Sequence, residues 1–355
     1  MLRFIKIIIM LLILVIVAIS AGGYWIYENQ LKKPLPLFNE LSYTIHPNMS
    51  LSKVAMELMD KGLMNYPTAL TWVTLARIQE KARKIKAGEY AIPVNTTPLE
   101  LLELFVNGKT VQHIFTFPEG WSFRQLMSAI HDSPYLVHTL KDLDSDEIMA
   151  KLGHPNQHPE GHFYPDTYHF PTGTTDVEFL QRAYKVMQNT LEDVWKQKNR
   201  DLPFDSPEEA LILASIIEKE TGKAEERPLI AGVFVRRLQK GMLLQTDPTV
   251  IYALAEKFDG DIRKKDLRID SPYNTYRNKG LPPTPIAMPG RDALLAAVQP
   301  ADGSELFFVA KGNGEHYFSS TLAEHECAVI AYQLKGKSSR YDTQCKRYPN
   351  CWACR

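Results

Sequence analysis

No cysteine precedes Cys327, and the remaining three, Cys345, Cys351 and Cys354, lie close to the C-terminus. A long chain without stray thiols is typical of an exported protein, because an unpaired cysteine is oxidised outside the cytoplasm. The tail spacing C-x5-C-x2-C lacks a fourth ligand at a distance typical of zinc sites. It therefore favours disulfide pairing or a non-functional extension over metal binding, and we expect no metal ligands.

An excess of either charge is also absent. The chain has 41 basic and 41 acidic residues and a formal net charge of zero. A nucleic-acid-binding protein needs a basic excess to neutralise phosphates, so no nucleic-acid partner is expected. The sequence contains no Gly-rich phosphate loop, no GxGxxG fingerprint, no HExxH motif and no evident repeat. Nucleotide and nicotinamide enzymes are therefore disfavoured, and we expect no cofactor.

Charged residues are missing from residues 7–27, an apolar run that ends in Tyr24, Trp25 and Tyr27. Crossing a bilayer takes about 20 residues, and aromatic side chains commonly lie at the membrane interface. The run therefore predicts a single membrane anchor. The alternative is a signal peptide cleaved after the small-residue pattern at residues 18–20. We favour the anchor because the apolar run continues to the aromatic end. Either interpretation puts the remaining chain across the membrane.

The most informative segment is a predicted helix at residues 207–222 that is apolar on all sides and ends in two carboxylates. Ser206 suits the N-cap and Pro207 the first turn. An all-apolar helix is usually buried, and burial raises a carboxyl pKa above its usual value of about 4.3. Such an acid can donate a proton near neutral pH. Helical spacing does not choose between Glu218 and Glu220. The alternative is that both glutamates lie at a solvated helix end and pair with basic neighbours.

The pattern of apolar residues predicts an α+β fold in two folded regions. The first, residues 40–150, has predicted strands at 43–45, 89–92 and 111–117 and predicted helices at 54–63, 70–78, 97–107 and 121–130. The second, residues 151–336, has predicted helices at 176–199, 207–222, 226–240, 250–256 and 322–334, and a hairpin of strands 306–310 and 316–318. Residues 1–33 form the cytoplasmic stub, the anchor and the start of a stiff Pro-containing spacer, and residues 337–355 a dispensable cysteine-containing tail.

Several segments of the chain, and the order in which they occur, resemble the YceG-like family of endolytic murein transglycosylases. The matching segments are 160–168 (EGHFYPDTY), 214–220 (ASIIEKE), 245–248 (QTDP), 273–276 (YNTY), 280–283 (GLPP) and 316–318 (HYF). Several multi-residue motifs in one order are far more specific than any single motif. The tail departs from the family pattern, so nothing is carried over to it.

The resemblance implies a single-pass protein of the bacterial inner membrane, with a periplasmic catalytic domain and a LysM-like subdomain in about 40–110. It implies cleavage of the MurNAc-GlcNAc β-1,4 bond within nascent peptidoglycan strands, which leaves 1,6-anhydroMurNAc ends and limits strand length. Peptidoglycan synthases are candidate partners. Under the resemblance, Glu218 is the catalytic acid/base, with Glu220 and Ser215 in support. The side chains expected to bind the glycan are Gln245, Asp247, Tyr252, Asn274 and Tyr276.

The chemistry suits one carboxylate. Glycosidases usually employ two, but a lytic transglycosylase can use one acid that protonates the leaving oxygen and then accepts the proton of the attacking 6-hydroxyl group. One competing hypothesis is a membrane-tethered peptidoglycan-binding scaffold, although a scaffold has no reason to bury an acid. Another is a hydrolase with Asp247 or Asp270 as its second carboxylate. The five expected binding residues could instead be turn and loop scaffolding.

Overall fold

The computed structural model describes residues 2–334 and 338–354. They form a mixed α+β fold, as the sequence predicts, in two compact units. The first unit runs to Ile114 and takes back His169–Thr174, and the second comprises Phe115–Tyr168 and the chain from Thr175 onward. The functional division expected at residues 150–151 stays a prediction.

The N-terminal apolar run is helical. Helix α1 (Leu2–Ile26) continues into a π-helical turn, Tyr27–Leu31. Within them, Ile9–Leu31 has a mean hydropathy of 2.4 and is long and apolar enough to cross a membrane. Leu31 and Leu35 are both buried in the core of the first unit. The start and end of the segment expected as a stiff spacer are therefore packed onto that unit.

The first unit is built on strands β1 (Leu41–Ile45) and β2 (Gly88–Ile92), which pair antiparallel with Tyr43 opposite Tyr90. Its helices are α2 (Leu51–Asp60), α3 (Tyr66–Ile78) and α4 (Pro98–Asn107). The helix starts follow from local chemistry, since the side chains of Ser50, Asn65 and Thr97 each accept a backbone N–H in the first turn. Trp72 and Phe105 fill the core between the helices and the sheet.

Two further strand pairs complete the sheets. Strands β3 (Gln112–Thr116) and β4 (Thr167–Pro171) pair with each other, and β5 (Phe307–Ala310) and β6 (His316–Ser319) form an antiparallel hairpin. The remaining helices are α5 (Phe123–Asp132), α6 (Ser145–Leu152), α7 (Asp176–Trp195), α8 (Pro207–Glu220), α9 (Arg227–Gln239), α10 (Asp247–Leu254), α11 (Arg291–Val298), α12 (Leu322–Val329) and α13 (Ser338–Arg347).

Helix α8 is the centre of the second unit. Its residues from Ala210 to Ile217 are all buried, and it packs against α7, α9 and α11. Ser206 is the N-cap and forms a reciprocal capping box with Glu209, which confirms the predicted start. The helix ends at Glu220 because Thr221 is extended, so Gly222 is not its stop. A helix buried around its whole circumference must be enclosed by other elements.

The C-terminal cysteines pair as Cys327–Cys351 and Cys345–Cys354. The first bond joins α12 to the tail, and Cys327 and Cys351 share a small core with Ile330. Disulfide pairing, one of the two expected alternatives to a metal site, is therefore what the structure contains. The expected boundary of the tail at residues 336–337 lies outside the described residues.

Candidate active site

Three consecutive residues at the C-terminal turn of α8 have three different surroundings. Successive side chains on an α-helix are rotated by about 100°, so neighbours in sequence face different elements. Glu218 accepts a hydrogen bond from the backbone of Gly290. Lys219 donates to the carbonyl oxygen of Gly120, and Glu220 accepts from the hydroxyl group of Thr246. The two candidate acids therefore occupy separate sites.

Glu218 belongs to a cluster of charges around one buried arginine. Its Oε1 lies 3.4 Å from Nη2 of Arg227, and its Oε2 accepts the N–H of Gly290 at 3.0 Å. The carboxylates of Glu119 and Asp292 lie 3.7 Å and 3.5 Å from the same guanidinium. Both oxygens of Glu218 thus have protein partners, and its side chain is only 6% exposed. This arrangement ties the end of α8 to α9 and to the loop before α11.

Glu220 lines a cavity of about 530 Å³ in the second unit. Burial raises the pKa of this carboxyl to about 7, the hydrogen bond from Thr246 opposes the shift, and the charge of Asp247 adds to it. A carboxylic acid with such a pKa is present in both protonation states near neutral pH, which is what general acid catalysis requires. Charged and polar residues that share the cavity are Arg237, Gln245, Asp247, Tyr276, His316, His325, Glu326 and Gln333.

Hydrogen bonds join two segments that are distant in sequence beside Glu220. The hydroxyl group of Tyr276 donates to Oδ1 of Asp247 at 2.6 Å, and the N–H of Thr246 donates to the hydroxyl of Thr275 at 3.1 Å. Gln245 and Asp247 are exposed, and Gln245 has a positive φ of 53°, a conformation that costs energy for a residue with a side chain. Gln245 and Asp247 of one segment and Tyr276 of the other thus contribute polar groups to the cavity of Glu220.

The family follows from comparison of the whole sequence with known proteins. The model of the YceG-like family matches residues 43–331. The chain belongs to the YceG-like family. An endolytic murein transglycosylase from Bacillus subtilis is 32% identical over 330 residues, which cover 88% of this chain and 90% of that protein.

Two further relatives of this YceG-like chain are informative. An endolytic murein transglycosylase from Streptococcus pneumoniae is 26% identical, and the match covers 88% of this chain but only 63% of that protein. The crystal structure of a yceG-like protein from Listeria monocytogenes superposes with a TM-score of 0.52 at 31% identity, covering 81% of this chain and 98% of the other. The mixed α+β fold is therefore shared with a solved structure of the family.

The structure of this YceG-like protein places Asn274 and Ser215 in the scaffold. Asn274 is fully buried, and its amide donates to the carbonyl oxygens of Leu267 and Ile269 at 3.1 Å and 2.9 Å. The hydroxyl of Ser215, also fully buried, accepts the N–H of Ile286 at 3.0 Å. Asn274 therefore offers no exposed side-chain group, and its expected role in binding the glycan, like the expected support of the catalytic acid by Ser215, stays a prediction.

Tyr252 lies in a second cavity, of about 840 Å³. Its hydroxyl group donates to Oε2 of Glu160 at 3.1 Å, and Oε1 of Glu160 accepts the N–H of Phe123 at 2.9 Å. Burial raises the pKa of Glu160 to about 7, against these hydrogen bonds. The sequence interpretation did not single out Glu160, although it lies in the matching segment 160–168. The aromatic density of that segment was the available signal that its acid is buried.

The structure thus divides the expected site residues of the YceG-like chain among three places. Gln245, Asp247 and Tyr276 surround Glu220, whereas Tyr252 accompanies Glu160. Glu218 lies among the charges around Arg227. Asp270, the other carboxylate considered for a hydrolase, has a 98% exposed side chain and pairs with Arg277. Among the described residues, the cavity of Glu220 brings an acid with a raised pKa together with three of the expected binding residues, whereas the cavity of Glu160 does so with one, Tyr252.

Proposed function

We propose that the chain is an endolytic murein transglycosylase, a lyase that cleaves the MurNAc-GlcNAc β-1,4 bond within peptidoglycan strands and limits their length. The observation that carries the proposal is Glu220, whose carboxyl has a pKa raised by burial to about 7 in a cavity that is also lined by Gln245, Asp247 and Tyr276. Membership of the YceG-like family supports it, because relatives from B. subtilis and S. pneumoniae carry this name. A cavity of this size is within the usual range for ligand sites.

In this proposal Glu220 is the proton donor. Its carboxylic acid protonates the leaving glycosidic oxygen as the bond to the anomeric carbon breaks. The 6-hydroxyl oxygen of the muramic acid then attacks the anomeric carbon and gives up its proton to a base of the cavity. The product is a 1,6-anhydro end. We assign Gln245, Asp247 and Tyr276 to contacts with the sugar, because their polar groups share the cavity with Glu220.

This assignment reverses the expected roles of the two glutamates. Glu218 was expected to be the acid, with Glu220 in support. Because both oxygens of Glu218 are engaged by Gly290 and Arg227, we propose that Glu218 positions the end of α8. These contacts hold Glu218 against α9 and the loop before α11, which suits a structural ion pair.

We propose that α1 is a retained membrane anchor and that both folded units lie in the periplasm. The apolar span Ile9–Leu31 supports the anchor, and the two disulfides support an oxidising compartment. We also propose that the β1-α2-α3-β2 part of the first unit is the LysM-like subdomain and holds glycan. Partner synthases remain a prediction of the resemblance.

One observation favours a second candidate, a peptidoglycan hydrolase. Asp247 lines the same cavity as Glu220 and could activate water as a second carboxylate. The two candidates differ in product, since hydrolysis leaves reducing ends and transglycosylation leaves 1,6-anhydro ends. Asp247 accepts a hydrogen bond from Tyr276, which occupies one of its oxygens and favours a binding role.

The test uses two matched variants of the full-length protein, Glu220→Gln and Glu218→Gln, on purified glycan strands. Each removes one carboxyl from the same helical turn. Mass spectrometry of the product ends measures both rate and chemistry. We expect 1,6-anhydroMurNAc ends from the native protein and a rate about 10²–10⁴-fold lower for Glu220→Gln, the usual worth of general acid catalysis.

Glu218→Gln should retain most of its activity and unfold at a lower temperature, because it breaks the ion pair with Arg227. Loss of activity in Glu218→Gln with a native rate in Glu220→Gln would return the acid to Glu218. Reducing ends from the native protein would establish the hydrolase. A folded native protein that binds strands without cutting them would establish the scaffold.

A further inference from the structure

The cavity of Glu220 is also lined by a histidine that the steps assigned so far do not use and that is paired with a carboxylate outside the cavity lining. His316, the first residue of β6, lines the cavity. Its Nδ1 lies 2.7 Å from Oε2 of Glu226, and its backbone N–H donates to Oε1 of the same carboxylate at 2.8 Å. The two side chains are 13% and 12% exposed. Both carboxylate oxygens of Glu226 thus hold one histidine.

This arrangement fixes the charge of the carboxylate and the tautomer of the imidazole. Burial alone would raise the pKa of Glu226, but the hydrogen bonds from His316 and the positive charge of Lys223 contribute to lowering it. An ionised carboxylate can only accept hydrogen bonds, so the proton between the pair is on Nδ1. Nε2 of the neutral ring then carries a lone pair. In the described part of the chain, Nε2 has no hydrogen-bond partner.

The other titratable groups in the cavity are less suited to accept a proton. They are Glu220, Arg237, Asp247, Tyr276, His325 and Glu326. Arg237 donates to the carbonyl oxygens of Leu306 and Leu244 and keeps its charge. Asp247 already accepts the hydroxyl group of Tyr276. His325 stacks on Phe307, and burial lowers its pKa. His316 differs from them in having a ring that a carboxylate, Glu226, orients through Nδ1.

We propose that His316, oriented by Glu226, is the base that takes the proton of the attacking 6-hydroxyl group in the cavity of Glu220. The proposal rests on the proposed transglycosylase function. The proton of Glu220 goes to the leaving glycosidic oxygen as that bond breaks. The 6-hydroxyl oxygen forms the new bond to the anomeric carbon, and its proton goes to Nε2 of His316. The imidazolium then releases one proton, which restores the Glu220 carboxylic acid and the neutral ring.

A structural role for the pair is the main competitor. Glu226 lies in the 3-10 turn Ala224–Glu226, so its bonds to His316 also fasten the β5–β6 hairpin to the segment after α8. The neighbouring pair Lys223–Glu315, with Nζ and Oε1 3.0 Å apart, joins the same two segments without belonging to the cavity lining. Glu315→Gln is therefore a matched control for hairpin attachment.

The experiment compares Glu226→Gln, His316→Gln, His316→Ala and Glu315→Gln with the native full-length protein on purified glycan strands, across pH. For His316→Gln we expect kcat to fall by about 10²–10⁴-fold with KM changed only a few-fold. The acidic limb of the kcat/KM profile, where protonation of the base stops the reaction, should disappear. Added imidazole should restore part of the rate of His316→Ala. Glu226→Gln should lower kcat less, and Glu315→Gln should leave the profile unchanged.

Two results would overturn the role of His316 while the transglycosylase stands. One is a native rate and pH profile in His316→Gln. The other is a slower His316→Gln whose acidic limb persists, with no rescue of His316→Ala by imidazole and the same loss in Glu315→Gln, which would make the pair structural. A native protein that forms no 1,6-anhydro ends would instead overturn the proposed function, and with it the assignment of His316.

Discussion

At the scale of single residues, Glu218 and Glu220 show how position decides the chemistry of identical side chains. Both lie on the last turn of α8. Glu218 forms an ion pair with Arg227, whereas Glu220 faces a cavity where burial raises its pKa to about 7. Thr246, one of the few partners of Glu220, is a neutral hydroxyl group that does little to stabilise a negative charge. The acid that is least well paired is thus the one best able to donate a proton.

The raised pKa of Glu220 predicts a pH-dependent loss of stability. The folded state binds a proton more tightly than the unfolded chain, whose carboxyl has a pKa near 4.5. The favourable contribution of the bound proton is therefore complete below about pH 4.5 and is lost as the pH rises through about 7. Glu220→Gln carries no such charge. It should unfold at a higher temperature than the native protein at pH 8, and the difference should shrink towards pH 4.5.

Calorimetric scans of both proteins across this pH range measure the effect. Glu218→Gln is the control, because it removes a paired carboxylate and should lower the unfolding temperature at pH 8. Equal pH dependence in the native protein and Glu220→Gln would show that Glu220 is not the group that titrates. The comparison needs no substrate, so it tests the environment of Glu220 independently of the reaction.

The rate should also follow the ionisation of Glu220. A general acid must be protonated to act, so kcat/KM should decline as the pH rises above about 7, where burial places the pKa of Glu220. A pH–rate profile on glycan strands measures this limb. A rate that keeps rising well above pH 7 would contradict the assignment of Glu220 as the donor.

At the scale of elements, the local signals in the sequence were sufficient for α8 and insufficient for α11. Ser206 with Glu209 gives α8 a capping box, and its long apolar run predicts burial. Helix α11 has only eight residues, and its N-cap, Gly290, has no side chain to signal a start. It is helical because it packs against α8, which is a tertiary effect that no local pattern carries.

The candidate site, likewise, was predictable only in part. The sequence located two acids at the end of a buried helix but could not assign their surroundings. The choice depends on contacts with Thr246 and Arg227, whose positions are set by the packing of other elements. Helical periodicity describes which residues share a face, and it does not say what that face meets.

Helix α12 gives a prediction for the disulfides. Leu322 and His325 of this helix line the cavity of Glu220, and Cys327 on the same helix is bonded to Cys351. The double variant Cys327→Ser/Cys351→Ser frees this attachment and should increase amide hydrogen exchange across Leu322–Val329. This revises the expectation that the tail is dispensable.

Cys345→Ser/Cys354→Ser is the matched control, because that bond lies within the tail and does not involve α12. It should leave exchange across α12 unchanged. Mass spectrometry of peptides from both double variants and the native protein measures the difference. Equal exchange in all three would show that packing alone holds α12 in place.

At the scale of the whole molecule, an apolar helix lies at one end of the chain and two disulfides at the other, and both support the membrane anchor and the oxidising compartment that we propose. The π-helical turn after α1 leads into Leu31, which is buried in the core of the first unit. If α1 spans the bilayer, that unit begins at the membrane surface, without a long flexible linker.

We therefore predict that α1 stays in the mature protein and that protease added to spheroplasts digests both folded units. The intact mass should correspond to the chain with its N-terminal apolar helix, because Leu31 ties the end of that run to a folded core. A mature chain beginning near residue 21 would instead indicate cleavage of a signal peptide. Protection of the C-terminal part from protease would place it in the cytoplasm.

The number of residues in α8 determines which side chain of its last turn faces the cavity. On this turn, Glu218 contacts Arg227, and Lys219 donates to a backbone carbonyl. Glu220 faces the cavity and contacts Thr246. If one residue were deleted within the buried stretch of α8, each side chain after the deletion would move to the helical position of the residue before it, a rotation of about 100°. Thr221 would then occupy the position of the acid, and Lys219 would face Arg227. The length of α8 thus matters for the chemistry as much as the types of its residues do. We expect that active homologues have no deletion in this helix.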